Sequence, residues 1–267
     1  MFDVDGVLVD TEASYNEAVV RTVRWLIPVA PVDHGTVALW KRSGDWNNDW
    51  DLAYGLYCWL CATDRMTSAD AARSSLAELA AAAGTRATRG YAVVQGVFEE
   101  YYNGTARAVE RYGVEPLVEN AEPLSGRERI VLEPVHIADL RAAGIDKFGV
   151  VTGRVRADWD QVAARLRLPA GTVVATDEDG RKPDPAGLVL VLGRLQATGF
   201  VYIGDTLNDL RMVQAQTGPD RTPGHAVILC GPSEEGSYRD AGATTFVRSL
   251  GELAAKVAAL RATAPRY

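Results

Sequence analysis

Two aspartates, Asp3 and Asp5, stand at the head of the chain just before Gly6. A second acidic pair closes the run Gly204-Asp205-Thr206-Leu207-Asn208-Asp209. Between them lie Thr152-Gly153-Arg154 and a lysine before proline, Lys182-Pro183. These residue types hold the parts needed to hydrolyse a phosphate monoester: an in-line nucleophile, neutralisation of phosphoryl charge and a proton for the leaving oxygen. A carboxylate such as Asp3 is repelled by a dianionic phosphoryl group unless a cation bridges them. Asp3 and Asp205 offer hard oxygen ligands suited to Mg²⁺, which keeps waters and also takes a substrate oxygen. Lys182 is a second, fixed positive charge for the same oxygens, and the Thr152 hydroxyl with the N–H groups of its turn can cradle the rest. If the chain turns at Gly6, Asp3 and Asp5 share one cleft and their roles must differ. Asp3 then attacks, while Asp5 protonates the leaving alkoxide and later deprotonates the water that opens an aspartyl-phosphate.

Groups so far apart in sequence meet only if the segments carrying them end at one edge of a sheet. From residue 126 onward, short β-branched runs alternate with helical patterns. Strands are expected at 148–152, 172–176, 200–204, 226–230 and 245–247, with helices over 155–168 and 185–197, one after the third of these strands through about 216, and one over 250–262. Continuously apolar strands alternating with helices predict a parallel sheet covered on both faces. Each reactive group then falls at a strand's C-terminal end or just ahead of a helix, and in doubly wound sheets that edge binds ligands where strand order reverses. Residues 12–125 lack the alternation and show helical spacing over 14–27, 50–62, 68–83 and 91–112. The expected architecture is α/β: a Rossmann-like doubly wound core of residues 1–11 and 126–267, with an all-helical insertion of 12–125. A lone first strand cannot stand by itself, so the opening residues belong with the later ones.

Asp3-Val4-Asp5-Gly6-Val7-Leu8-Val9-Asp10, Val151-Thr152-Gly153-Arg154, Lys182-Pro183-Asp184-Pro185 and Gly204-Asp205-Thr206-Leu207-Asn208-Asp209 resemble the four ordered motifs of the haloacid dehalogenase superfamily. The helical insertion after the first motif resembles the cap of its subfamily I, which includes β-phosphoglucomutase-like phosphatases. The resemblance implies a catalytic set of Asp3, Asp5, Thr152 and Lys182. It implies Mg²⁺ held by the Asp3 carboxylate, the Asp5 backbone carbonyl and Asp205, with Asp209 supporting the metal shell or the lysine. Retention of Asp5 argues against dehalogenation, because dehalogenases of this family lack that acid. A phosphomutase would use the same residues, and a silent binding protein would keep the fold alone; both stay open at this point.

The resemblance also implies that the cap chooses the substrate. Its most unusual stretch runs from Lys41 to Asp51 and carries Lys41, Arg42, Trp46, Asn47 and Asn48. Indole faces can stack on sugar rings, amides match hydroxyls, and Lys41 or Arg42 can reach a phosphate. With Gly153 and Arg154 these form the substrate-binding candidates, for a small polyhydroxylated or cyclic phosphate ester. The alternative reading is a helix N-cap by Asn or Asp plus core tryptophans. Arg154 can equally pair with an acid at the rim.

A formal charge of −7 speaks against a nucleic-acid or anionic-membrane surface, and no segment approaches a membrane span. Cys58 and Cys61 form a single C-x-x-C without the second pair or histidines that zinc needs. Buried thiols on a cap helix and a cytoplasmic location are expected. Only Met1 and Phe2 precede Asp3. The expectation is therefore a clipped first strand, and a higher melting temperature once upstream codons are restored.

Overall fold

The computed structural model describes residues 1–43, 46, 48–62, 66–119, 121–218 and 221–263. The chain divides into two compact units, Met1–Asp10 with Arg129–Tyr267, and Thr11–Glu128.

In the first unit, β1 (Val9–Asp10) pairs antiparallel with β2 (Arg129–Ile130). The others pair in parallel: β3 (Gly149–Val151) with β4 (Val173–Ala175), and β5 (Phe200–Gly204) with β6 (Gly224–Leu229), which also takes β7 (Phe246–Val247). Residues Met1–Asp3 join the two parallel groups, because Phe2 bridges in parallel to both Val150 and Ile203. Its N–H donates to the Gly149 carbonyl at 3.0 Å, its carbonyl accepts from Val151 at 3.0 Å, and the Asp3 N–H donates to Ile203 at 2.8 Å. The order across the sheet is β4, β3, Met1–Asp3, β5, β6, β7. Strand order reverses at the segment that carries Asp3, the place where such sheets bind ligands.

Alternate residues of these strands enter different cores, as the two-residue period requires. Val150 and Ile203 pack with Ile137, Leu140, Trp159 and Val257, while Val151 and Tyr202 pack with Leu188, Val191 and Met212. Helices therefore cover both faces, which is why the strands read as unbroken apolar runs. The strands are mostly shorter than the sequence patterns suggest. The helix Pro134–Ala142 and the β1–β2 ladder had no sequence counterpart in the expectations. That ladder, with Asp10 and Arg129 joined at 2.8 Å, brings the two connections to adjacent positions. The two units meet at 10/11 and 128/129, beside the expected 11/12 and 125/126.

All regular structure described within Thr11–Glu128 is helical. A π-helical turn, Glu12–Asn16, leads into Glu17–Leu26. The periodic stretch 91–112 is two helices, Tyr91–Asn103 and Thr105–Tyr112, because Gly104 takes a φ of 81° that no helix accepts. The stretch 68–83 likewise divides into Ser68–Ala71 and Leu76–Ala83, the second begun by a Ser75–Glu78 capping box. The helix His34–Arg42, capped by Asp33, lies where no periodic run was read.

Candidate active site

Asp3 follows the central segment, Thr152 follows β3, Asp205 follows β5, and Lys182 lies in the connection from β4 to the helix Ala186–Leu195. The sheet brings all four to one edge. Lys182 Nζ lies 2.7 Å from Asp3 Oδ1 and 2.8 Å from Asp209 Oδ1, and the three side chains are almost wholly buried. Asp3 Oδ1 also accepts from the Val4 N–H at 2.7 Å. Carboxylate oxygens of Asp3, Asp205 and Asp209 all lie within 4.8 Å of one another. Burial, with the nearby Asp209 and Asp5 charges added and Lys182 opposing, pushes the Asp3 carboxyl up to about 7. Asp205 rises well above the usual carboxylate range, first through burial and then through Asp3 and Asp209. Although burial works against its charge, Asp209 and Asp3 hold the Lys182 ammonium above its ordinary range.

Two glycines make this crowding feasible. Gly6 takes a φ of 74°, and its N–H donates to Val9 at 2.9 Å, which turns the chain sharply after Asp5. A Cβ at Gly6 would run into the Asp205 carboxylate, and one at Gly204 would run into Asp209.

Asp209 is held through both of its oxygens. Its Oδ1 faces Lys182 and the Tyr202 hydroxyl at 3.0 Å, and its Oδ2 accepts from the Thr206 N–H at 3.1 Å and hydroxyl at 2.6 Å. With both oxygens so engaged, Asp209 anchors Lys182 and the Thr206 helix start, one of the two roles the resemblance implies for it, and its carboxylate still lies within 4.8 Å of those of Asp3 and Asp205. Two tyrosines escaped the sequence reading. The Tyr202 hydroxyl, 2.9 Å from the Val151 carbonyl, ties Asp209 to the end of β3. The Tyr238 hydroxyl donates to the Asp205 carbonyl at 2.5 Å from the helix Glu235–Asp240. Nothing in an isolated tyrosine distinguishes such a hydroxyl from ordinary core packing; for Tyr202 only its place between Val201 and Ile203 hinted at burial.

The Thr152 N–H donates to Ala175 at 3.1 Å, and its hydroxyl accepts from the Arg154 N–H at 3.1 Å. Gly153 is exposed and faces open space. Arg154 does not extend into the solvent. Its Nε lies 3.0 and 3.2 Å from the two oxygens of Asp5, and Nη2 lies 2.5 Å from Oδ1. Of the two roles open to Arg154, substrate contact and pairing with an acid, the geometry supplies the second.

The family model for haloacid dehalogenase-like hydrolases matches residues 1–216. The chain belongs to this family. Among solved structures, a phosphatase from Thermococcus thioreducens is similar at a TM-score of 0.60 and 22% identity, with 95% of this chain and 98% of that one covered. A candidate phosphoglycolate phosphatase from Lactobacillus delbrueckii subsp. bulgaricus is similar at a TM-score of 0.56 and 17% identity, with 96% of each chain covered. A haloacid dehalogenase-like hydrolase from Bacteroides fragilis is similar at 0.56 and 17%, over 94% of this chain and 97% of that one. At these identities the likeness is one of fold: an α/β core with a helical insertion. Among curated proteins no relative matches.

Asp205 Oδ1 is buried without a hydrogen-bond partner, beside a second carboxylate, Asp3, that burial disfavours in its charged form. A buried oxygen with no donor is costly, and a hard cation between the two carboxylates would satisfy it and offset their repulsion. The residues fit Mg²⁺. In the cap unit of this hydrolase, Trp46 is 2% exposed, with its ring against Trp40 at 4.9 Å and its N–H given to the Ala72 carbonyl at 2.8 Å. Gly55 makes room for that ring. A face covered so completely stacks on no sugar, so Trp46 is corrected to a core residue. Asn48 caps the helix Asp49–Cys61 by accepting from the Asp51 N–H at 3.0 Å. Lys41 pairs with Asp49 at 2.8 Å, and Arg42 is exposed. Asn47 lies outside the described residues. Cys58 is buried and Cys61 only half-buried, both as free thiols at the end of that same helix. No described helix is long and apolar enough to cross a membrane.

Proposed function

We propose that this protein is a Mg²⁺-dependent phosphatase that hydrolyses a small phosphomonoester, a sugar, cyclitol or similar metabolite phosphate, through an aspartyl-phosphate at Asp3. The observation that carries the reading is the almost wholly buried pair of Asp3 and Lys182 beside Asp205, whose buried Oδ1 lacks a partner among the described residues. Bound Mg²⁺ would be held by Asp3, Asp205 and the Asp5 main-chain carbonyl, and it would neutralise phosphoryl charge during attack. Lys182 draws the phosphoryl oxygens toward Asp3 and, through Asp209, keeps a fixed position. Lys182 meets Asp3 at Oδ1, and in this reading the other oxygen, Oδ2, attacks phosphorus. Thr152 and the N–H groups of its turn receive the remaining oxygens. Asp5 protonates the leaving oxygen and then takes a proton from the attacking water. Retention of this acid favours ester hydrolysis over dehalogenation. The free thiols and the acidic charge are consistent with a cytoplasmic enzyme that binds neither nucleic acid nor membrane.

The test is phosphate release from p-nitrophenyl phosphate, acetyl phosphate and a panel of phosphorylated metabolites. Activity is expected with Mg²⁺, lost with chelator and abolished in Asp3→Asn. Full activity in Asp3→Asn would overturn the reading, and phosphoryl transfer between hydroxyls of one sugar without free phosphate would identify a mutase.

A further inference from the structure

We infer that Arg154 is the positioning residue of the acid/base Asp5, and that the outer oxygen of Asp5, Oδ2, is the one that gives and takes the proton. The inference rests on the phosphatase reading above and deepens it. The side chain of Arg154 is 1% exposed while that of Asp5 is 33% exposed, so the arginine is the fixed partner and the aspartate the accessible one. A guanidinium this deeply buried needs acceptors for its N–H groups, and Asp5 offers both of its oxygens. The main chain of Arg154 is pinned on both sides: its N–H donates to Thr152 Oγ1 at 3.1 Å, and its carbonyl accepts from the Asp177 N–H at 3.0 Å. The turn that presents Thr152 to the phosphoryl group thus also fixes the clamp on Asp5.

The clamp is asymmetric. Among the described contacts Oδ1 takes Nε at 3.0 Å and Nη2 at 2.5 Å, whereas Oδ2 takes Nε at 3.2 Å. A guanidinium has donors and no acceptor, so the proton of Asp5 cannot lie against it. Oδ2 keeps the free lone pair. In the first step the bond from Asp3 to phosphorus forms and the bond to the leaving oxygen breaks, and the Oδ2 proton passes to that oxygen. In the second, water oxygen bonds to phosphorus, its proton returns to Oδ2, and the bond to Asp3 breaks to release phosphate.

Leaving-group chemistry separates this role from the others. Phenolate needs a proton on departure far more than p-nitrophenolate does, so loss of the acid falls on phenyl phosphate first. The measurement is kcat/KM for phenyl and p-nitrophenyl phosphate with Mg²⁺ in the wild type, Asp5→Asn, Arg154→Gln, Arg154→Lys and the Asp5→Asn/Arg154→Gln double variant. Asp5→Asn is expected to cost phenyl phosphate about 10²-fold or more, within the range of general acid catalysis, and p-nitrophenyl phosphate much less. Arg154→Gln should reproduce that selectivity at roughly ten-fold, and should cost nothing further once Asp5 is gone, the signature of residues that act as a unit. Arg154→Lys, which keeps the charge but loses the fork, should fall between and serves as the reading if Arg154→Gln does not fold. Equal losses on both esters, or a further loss in the double variant, would overturn the inference and mark Arg154 as a phosphoryl contact or a packing residue. Equal losses in Asp5→Asn itself would instead refute the acid/base role of Asp5.

Discussion

At the scale of single residues, the site is a problem in charge. Three carboxylates surround one lysine, and the structure satisfies only part of the excess: Asp209 is saturated by Lys182, Tyr202 and Thr206, while Asp205 Oδ1 has no donor. The pH dependence of stability follows. With its carboxyl near 7 in the metal-free protein, against 3.8 in the free side chain, Asp3 holds a proton in the native state that the unfolded chain has released. The native state then binds more protons across that interval, so metal-free stability falls as pH rises from about 4 to about 7. Mg²⁺ binds the ionised form and opposes the loss. Thermal melts should therefore show a Mg²⁺-induced rise in Tm that is small near pH 5 and large by pH 8, and a rise independent of pH would contradict this electrostatic picture. The meeting of Asp3, Lys182 and Asp205 was legible in the sequence because residue type and order point to it. The clamp of Arg154 on Asp5 and the hydroxyl of Tyr202 on Asp209 were not, since both depend on which rotamers meet across 149 and 7 residues of chain.

At the scale of elements, turns and caps do the positioning. The turn at Gly6 puts Asp3 and Asp5 on one side only because φ is positive there and no Cβ contests the space with Asp205. Gly6→Ala meets both penalties, a left-handed backbone and a clash with a charged side chain. It should lower stability by about 1–2 kcal/mol from backbone conformation alone and cut activity strongly, as followed by denaturant melts and kcat/KM. Wild-type activity in that variant would show that the turn is not rigid. The helix Asp49–Cys61 illustrates the opposite case. Its capping residue Asn48 looked as suitable for a sugar hydroxyl as for a main-chain N–H, and the structure spends it on Asp51. Asn48→Ala should cost about 1 kcal/mol of cap stability, with KM for the best substrate unchanged. A raised KM at unchanged stability would return Asn48 to the binding site. The helical content of the cap was readable from periodicity, but the breaks at Gly104 and Ser75 were not, because one glycine or one serine inside a periodic run does not announce whether it bends, caps or merely packs.

At the scale of the whole molecule, the architecture was legible because continuously apolar strands separated by helices allow few arrangements. Val150 and Val151 feed opposite faces of the sheet, which only a doubly covered parallel sheet requires. Strand order, and hence the reversal at Met1–Asp3, is set by pairings between distant segments that no local pattern encodes. That reversal is what places the carboxylate of residue 3 beside that of residue 205. The claim that Asp3 becomes covalently phosphorylated has one direct measurement: rapid acid quench of enzyme turning over acetyl phosphate with Mg²⁺, followed by peptide mass spectrometry. The account predicts one phosphoryl group on the peptide bearing Asp3, absent without Mg²⁺ and absent in Asp3→Asn. Steady hydrolysis with no phosphorylated Asp3, or with the phosphoryl group on another residue, would contradict it.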